Sequence, residues 1–212
     1  MIKSKINKIK LLVIALLAIT IIMTACSGGE VTKDAQTSSE ENKPRVKIEM
    51  EDGGEMVLEL YPEFAPKTVE NFINLAESGF YDGLKFHRIV KGFMVQSGDP
   101  KGNGTGGSEN TIEGEFADNG FSQNTLKHTK GVISMARTND PNSASSQFFI
   151  MDGENDYLDG KYAAFGKLIE GEATLDKIAD TPVGKNPFNG ELSSPEVDVI
   201  IKKITVIDNT SK

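Results

Sequence analysis

Phe86-His87-Arg88-Ile89-Val90-Lys91-Gly92-Phe93-Met94-Val95-Gln96-Ser97-Gly98 places an arginine, an amide and several large apolar side chains in one short stretch. Val90-Lys91-Gly92 reads as a turn, so Phe86–Val90 and Phe93–Ser97 are expected to be neighbouring strands. Side chains alternate between the faces of a strand. Arg88 is therefore expected on the face of Phe86 and Val90, and Gln96 on that of Met94. Turned toward one groove, these faces would join a cation, an amide and apolar walls. Such a surface fits a neutral amide substrate that carries an apolar ring.

Working outward, Arg45–Met50 and Met56–Tyr61 alternate about Asp52-Gly53-Gly54, a hairpin pattern. Val69, Phe72, Ile73 and Ala76 recur at helical spacing, which predicts a helix over Pro66–Ser78 ending at Gly79. Residues 98–125 are rich in glycine and read as one long functional loop. Short strands are expected at Val132–Ala136, Gln147–Met151 and Ala163–Leu168, a second helix at Ala173–Ala179, and a closing strand over Val197–Ile207. Pattern alone reaches a mainly-β domain with two helices, without repeats and without a second domain.

Further segments carry a resemblance. They are Ala65-Pro66-Lys67-Thr68-Val69-Glu70-Asn71-Phe72, Gly102-Asn103-Gly104-Thr105-Gly106-Gly107 and Gly131-Val132-Ile133-Ser134-Met135-Ala136. Ser145-Ser146-Gln147-Phe148-Phe149-Ile150, Leu158-Asp159-Gly160-Lys161 and Ala164-Phe165-Gly166-Lys167 follow. With residues 86–98, and in this order, they resemble the cyclophilin family of peptidyl-prolyl cis-trans isomerases, from Val46 to Ile207. The resemblance implies a closed eight-stranded antiparallel barrel capped by two helices, one at each end. It places the site on the outside of the barrel and implies no cofactor and no metal.

Rotation about a peptide C–N bond meets a barrier of ~18–20 kcal/mol, because resonance gives that bond double-bond character. X-Pro bonds populate both isomers and interconvert over roughly tens to hundreds of seconds. A catalyst of this rotation needs a fixed donor aimed at the nitrogen, which gains a lone pair as the amide twists. The resemblance assigns that role to Arg88, since guanidinium offers a planar fork of donors. Without the resemblance, Arg88 reads more simply as half of a salt bridge.

Gln96 is expected to hydrogen-bond the substrate backbone and to help place Arg88. The resemblance puts Phe93, Met94, Phe149 and Leu158 around the proline ring and Gln147 along the groove. Gly104 lets the loop bend beside it. Ala136 and Arg137 stand where the substrate backbone pairs like an added strand.

Three positions depart from the family pattern: Arg137 replaces a usual Asn, Tyr157 a common Trp and Tyr162 a common His. Tyr162 keeps a ring and a hydroxyl to border the proline pocket. Tyr157 lacks the indole N–H, which removes the basis for expecting the tight cyclosporin binding of many members. The spacing over 137–146 is also about one residue longer than usual, judged against the family pattern.

The glycine run at 102–107 superficially suggests a phosphate cradle, but no Lys-Ser/Thr follows it. His87 and His128 lack ligand spacing and read as structural.

Lys3, Lys5, Lys8 and Lys10 make a basic start, Leu11–Met23 is apolar save for Thr20, and Met23-Thr24-Ala25-Cys26 follows. This is the pattern of an export signal of the lipoprotein type, with 1–25 removed and Cys26 lipidated. The apolar run is short of the roughly 20 residues of a membrane span. The alternative is an anchor helix that stays uncleaved. Cys26 is the single cysteine, so an intramolecular disulfide is impossible. Residues 26–43 are polar and read as a flexible tether reaching roughly 20–25 Å, and 44–212 as the isomerase domain.

Lys and Arg number 23 against 31 Asp and Glu, a net charge of −8, and loss of the four signal lysines deepens it to −12. That excess argues against nucleic acid. The expected partners are proline-containing unfolded or exported polypeptides and, through the lipid, the outer face of the cell membrane. A monomer is expected. The same groove with little turnover would make a peptide-binding or chaperone module. The presence of both Arg88 and Gln96 favours the enzyme.

Overall fold

β1 (Arg45–Met50) and β2 (Glu55–Leu60) are joined by a tight turn at Asp52-Gly53-Gly54. They alternate strictly, burying Val46, Ile48, Met50, Met56, Leu58 and Leu60 on one face. The computed structural model describes residues 43–207. The expected signal at 1–25, Cys26 and the expected tether up to residue 42 lie outside the described residues. Among the described residues, no helix is long and apolar enough to cross a membrane, and no cluster of His, Cys, Asp and Glu could hold a metal ion.

The chain continues with α1 (Pro66–Glu77), β3 (Arg88–Val90), β4 (Met94–Ser97), β5 (Val132–Met135), β6 (Phe148–Met151) and β7 (Ala164–Glu170). α2 (Glu172–Ala179), β8 (Val183–Lys185), β9 (Leu192–Pro195) and β10 (Ile201–Ile207) complete it. Eight strands form one antiparallel sheet in the order β10-β1-β2-β7-β5-β6-β4-β3, while β8 and β9 form a separate hairpin.

The sheet is a curled half-barrel, which corrects the expected closed eight-stranded barrel. Its end strands β3 and β10 do not pair with each other. The edges are linked instead by an isolated bridge between Lys85 and Ile200, with Phe86 N donating to Val199 O at 2.9 Å and Ile201 N to Leu84 O at 2.8 Å. The physical reason lies upstream of Arg88. Gly83 takes φ +78° in the turn before it, and Phe86 points into the core at 0% exposure, which breaks the alternation ahead of β3. Phe86 therefore does not share the face of Arg88, against the alternation read from the sequence.

Alternate residues of the central strands feed two apolar clusters. Ile89, Val95, Ile133, Met135, Phe148, Ile150 and Phe165 fill the concave side together with residues of β1, β2 and β10. Phe72 of α1 joins them, its ring 5.3 Å from that of Phe148 and 5.2 Å from that of Phe165. Met94, Val132, Phe149, Met151, Leu158 and Ala164 form a second cluster on the opposite face. β5 and β6 are thus buried on both sides, and for this reason Phe148-Phe149-Ile150-Met151 shows no polar alternation. Leu175 and Ile178 of α2 pack into the first cluster.

α1 begins with Pro66 and has no side-chain cap of its own at Ala65. Glu115, 1% exposed, supplies one from the long loop. It accepts from Lys67 N at 3.0 Å, Thr68 N at 2.8 Å and Thr68 Oγ1 at 2.7 Å. These bonds satisfy amides that a helix start leaves unpaired. They also tie the loop to the first turn of α1.

Candidate active site

Arg88 and Gln96 face each other in the β3–β4 ladder, in register with Ile89↔Val95 and Val90↔Met94. The Lys91-Gly92 turn between the strands holds Gly92 at φ +76°, and Gly92 N donates to Asp152 at 2.6 Å. Cross-strand partners project to one face, so Arg88, Gln96 and Met94 converge. Arg88 Nη1 donates to Gln96 Oε1 at 3.3 Å and lies 3.5 Å from Met94 Sδ. The guanidinium also sits over the Phe93 ring, 5.8 Å from its centre.

Nine side chains enclose a cavity of about 160 Å³: Arg88, Phe93, Met94, Gln96, Ala136, Arg137, Phe149, Leu158 and Tyr162. Each is a residue expected from the sequence. Phe149 forms the floor, with the Tyr162 ring edge-on at 5.8 Å on one side and His128 stacked at 6.1 Å on the other. The remaining two expected residues, Gly104 and Gln147, line a second hollow of about 240 Å³ that shares Gln96, Ala136 and Arg137 with the first. The groove therefore has an apolar seat at one end and a polar annex at the other.

A chain of amides runs along this groove. Gln96 Nε2 donates to Gln147 Oε1 at 2.8 Å, and Gln147 Nε2 donates to the carbonyls of Gly104 at 3.2 Å and Gly106 at 2.7 Å. Gln147 thus fixes the glycine loop as well as lining the groove. The loop wraps Asp99, which accepts from the amides of Lys101 at 2.7 Å, Asn103 at 3.0 Å and Gly104 at 2.6 Å. Burial works against ionisation of Asp99, but these amides outweigh it and hold its carboxyl below the usual carboxylate range. The amides that a phosphate would need are already taken by an internal carboxylate, which agrees with setting the phosphate-cradle reading aside.

Arg137 is stacked between two rings, 4.9 Å from the centre of Phe116 and 4.7 Å from that of Tyr162. Its Nε and Nη2 donate to Lys161 O at 3.0 and 2.8 Å, and Nη1 to Thr138 O at 2.8 Å. These bonds hold a fixed positive charge on the groove wall. Tyr157 is 72% exposed and lines neither hollow.

The sequence reading missed Glu191. It holds Arg88 by two charge-assisted bonds, Nε to Oε2 at 2.6 Å and Nη2 to Oε1 at 2.7 Å. The guanidinium holds the Glu191 carboxyl below its usual range, against the opposing effect of burial. Glu191 is the last residue of the β8–β9 turn, and β9 lies against β3. Asn189-Gly190 was the available signal, since that dipeptide marks hairpins. Arg88 is thus half of a salt bridge, as read without the resemblance, and it also lines the cavity.

Comparison with known proteins agrees with this fold. Residues 45–206 match the family described as cyclophilin type peptidyl-prolyl cis-trans isomerase/CLD. A chicken (Gallus gallus) peptidyl-prolyl cis-trans isomerase-like 3 is 46% identical over 159 residues, 74% of this chain and 93% of that protein. A Staphylococcus haemolyticus protein named for the same isomerase activity is 37% identical over 207 residues, 84% of this chain and 100% of its own length. The crystal structure of a Cryptosporidium parvum cyclophilin-type isomerase superposes with a TM-score of 0.69 at 34% identity, covering 79% of this chain and 99% of that one. The chain belongs to the cyclophilin-type peptidyl-prolyl cis-trans isomerase family. Its activity is the isomerisation that gives the family its name.

Proposed function

We propose that this isomerase acts outside the cytoplasmic membrane, tethered by a lipid on Cys26, with Arg88 as its catalytic group. The observation that carries the catalytic half is the meeting of Arg88 and Gln96 at the rim of an apolar seat floored by Phe149. A proline ring in that seat brings its imide nitrogen beside the guanidinium. A donor fixed there stabilises the pyramidal nitrogen of the twisted amide more than either planar isomer, which lowers the barrier without a covalent step. The C. parvum relative has also been crystallised in the presence of the dipeptide Ala-Pro. An X-Pro dipeptide unit is the smallest substrate this seat would take.

Gln96 orients the substrate backbone and couples Arg88 to the Gln147 network. Ala136 and Arg137 flank the path of the substrate chain. The apolar walls and the absence of any demand for a side-chain nucleophile make unfolded, proline-containing polypeptides the substrate class. The export half rests on the basic start, the apolar run and Cys26 in the sequence. Uncatalysed X-Pro isomerisation is slow enough to limit folding, so an isomerase placed where exported chains fold would relieve a real kinetic block.

The test pairs two measurements on the full chain. NMR exchange on an Ala-Pro peptide should show acceleration by the wild type that collapses in Arg88→Ala, with the fold unchanged. Fractionation should show Cys26→Ala released from the membrane or unprocessed. Peptide binding by a folded wild type without acceleration would favour the peptide-binding module instead. Unchanged membrane retention, processing and mass in Cys26→Ala would sink the lipoprotein reading.

A further inference from the structure

Glu191 stands 103 positions beyond Arg88 in sequence, on a separate two-stranded hairpin, yet it occupies the Nε–Nη2 edge of that guanidinium with bonds of 2.6 and 2.7 Å. Nothing in the fold of the main sheet requires this pair. β3 is an edge strand, and its outer side would otherwise leave a long, flexible side chain free to sample solvent. The pair is only partly exposed, 27% for the Arg88 side chain and 34% for that of Glu191. A bidentate fork of this kind fixes the plane of both groups, which a single contact does not.

The turn that carries Glu191 is itself locked. Asn186 N donates to Glu191 O at 2.7 Å, and Gly190 N donates to Asn186 O at 2.8 Å. The side chain of Asn189 accepts from Glu191 N at 3.0 Å, and that of Asn186 accepts from Phe188 N at 2.9 Å. Gly190 takes φ +75°, a conformation that suits glycine at the tip. The carboxylate is thus presented from a rigid support. With the Nε–Nη2 edge occupied, the Nη1 end is the one left beside Gln96 and Met94 at the cavity wall.

We propose that Glu191 is a positioning residue for the isomerisation. By clamping one edge of Arg88 it turns the Nη1 end toward the proline seat and holds it there. This rests on the reading of Arg88 as the catalytic group. It adds a requirement that the main sheet alone does not meet: the β8–β9 hairpin must be in place for the donor to be aligned. Pre-alignment lowers the cost of reaching the twisted state, so its loss falls on kcat more than on KM.

The experiment uses the full chain as wild type, Glu191→Ala, Glu191→Gln and Arg88→Ala, with an Ala-Pro peptide followed by NMR exchange over a range of concentrations. Glu191→Ala is expected to lose about 10-fold in kcat with KM changed by less than about twofold. Glu191→Gln keeps one accepting oxygen on the same skeleton and should recover part of that loss. The Arg88 Nε–H resonance is expected to exchange slowly in the wild type and rapidly in Glu191→Ala.

An unchanged or increased kcat in folded Glu191→Ala, while Arg88→Ala collapses, overturns the positioning role and leaves the catalytic reading standing. A loss that falls on KM, with the Arg88 resonance unmoved, likewise overturns it. Full activity in Arg88→Ala overturns the catalytic reading and this inference together.

Discussion

Arg88 Nη1 and Gln96 Oε1 lie 3.3 Å apart across the β3–β4 ladder, where the guanidinium meets the apolar seat. This pair makes the first prediction. Arg88→Ala removes the donor and should lower kcat/KM by about 10²–10³, the usual cost of losing an electrostatic donor at a reacting centre. Arg88→Lys keeps charge but loses the planar fork, and with it both bonds to Glu191 as a matched pair. It should fall nearly as far as the alanine variant. Gln96→Ala removes one neutral partner and should cost about 10-fold. Peptide exchange rates by NMR check all three, and retention of near-wild-type rates in Arg88→Lys would show that charge alone suffices.

The floor of the seat is the second case. Phe149 is 5% exposed and packs between Tyr162 and His128, with Met94 and Leu158 in the same cluster. Phe149→Ala should cost about 3–5 kcal/mol of stability through lost burial and an unfilled cavity. It should also raise KM for X-Pro peptides, because the ring that seats proline is gone. Phe148→Ala, one residue away but facing the first cluster, should cost similar stability with little change in KM once folded molecules are counted. Denaturant unfolding with kinetics on both variants separates the two faces of β6.

Arg137 carries a charge into the groove where the family usually has an uncharged amide. Both of its edges are engaged, to Lys161 O and Thr138 O, and its faces are covered by Phe116 and Tyr162. Arg137→Asn should leave the Arg88 chemistry intact and change kcat/KM for a peptide with Ala beside the X-Pro unit by less than about threefold. For peptides with Glu beside it, kcat/KM should drop several-fold relative to those with Lys, by loss of roughly 1 kcal/mol of charge attraction. A matched peptide series measures this. An unchanged Glu-to-Lys ratio would remove Arg137 from substrate selection.

The hairpin at Arg45–Leu60, the helix after Pro66 and the Arg88/Gln96 pairing were legible because each is local. Turn residues, period and strand alternation all sit within a few positions of one another. The other seven residues that line the cavity with Arg88 and Gln96 were legible as well, but through resemblance rather than pattern. The two-sided burial of β5 and β6 erases the alternation that would have told site from core. What stayed hidden was long-range: Glu115 capping a helix 47 or 48 positions away, and Glu191 reaching Arg88 across 103. A surface glutamate in sequence carries no mark of which distant cation it will meet. Barrel closure was misjudged for a related reason. The number of strands does not say whether the end strands pair, and here the edges meet only at the isolated Lys85–Ile200 bridge and its flanking bonds.

Two histidines set how the fold responds to acid. His87 is 7% exposed and His128 is 1% exposed, and burial lowers both below the ordinary value of 6.5. For His128 the Asp159 carboxylate, 3.0 Å from Nδ1, opposes burial without overcoming it. For His87 the Asp99 charge opposes burial, while the charges of Arg88 and Lys85 act with it. Both rings are therefore folded as neutral groups that the unfolded chain protonates more readily. Their contribution to stability is full above 6.5 and is lost as pH falls from there through the lowered folded values, because the unfolded state then binds more protons. Each unit of depression removes about 1.4 kcal/mol once both states are protonated. Asp99 adds a second loss at lower pH. Its folded carboxyl lies below 3.8, so the stability it supplies is present above 3.8 and disappears as pH falls through the folded value. Urea midpoints should therefore hold steady from about pH 8 to 7, decline through the histidine range, and fall again in the carboxylate range. His87→Leu should shallow the first decline without abolishing it, since His128 remains. A first decline of the same depth in that variant would assign that decline to His128 and its Asp159 partner alone.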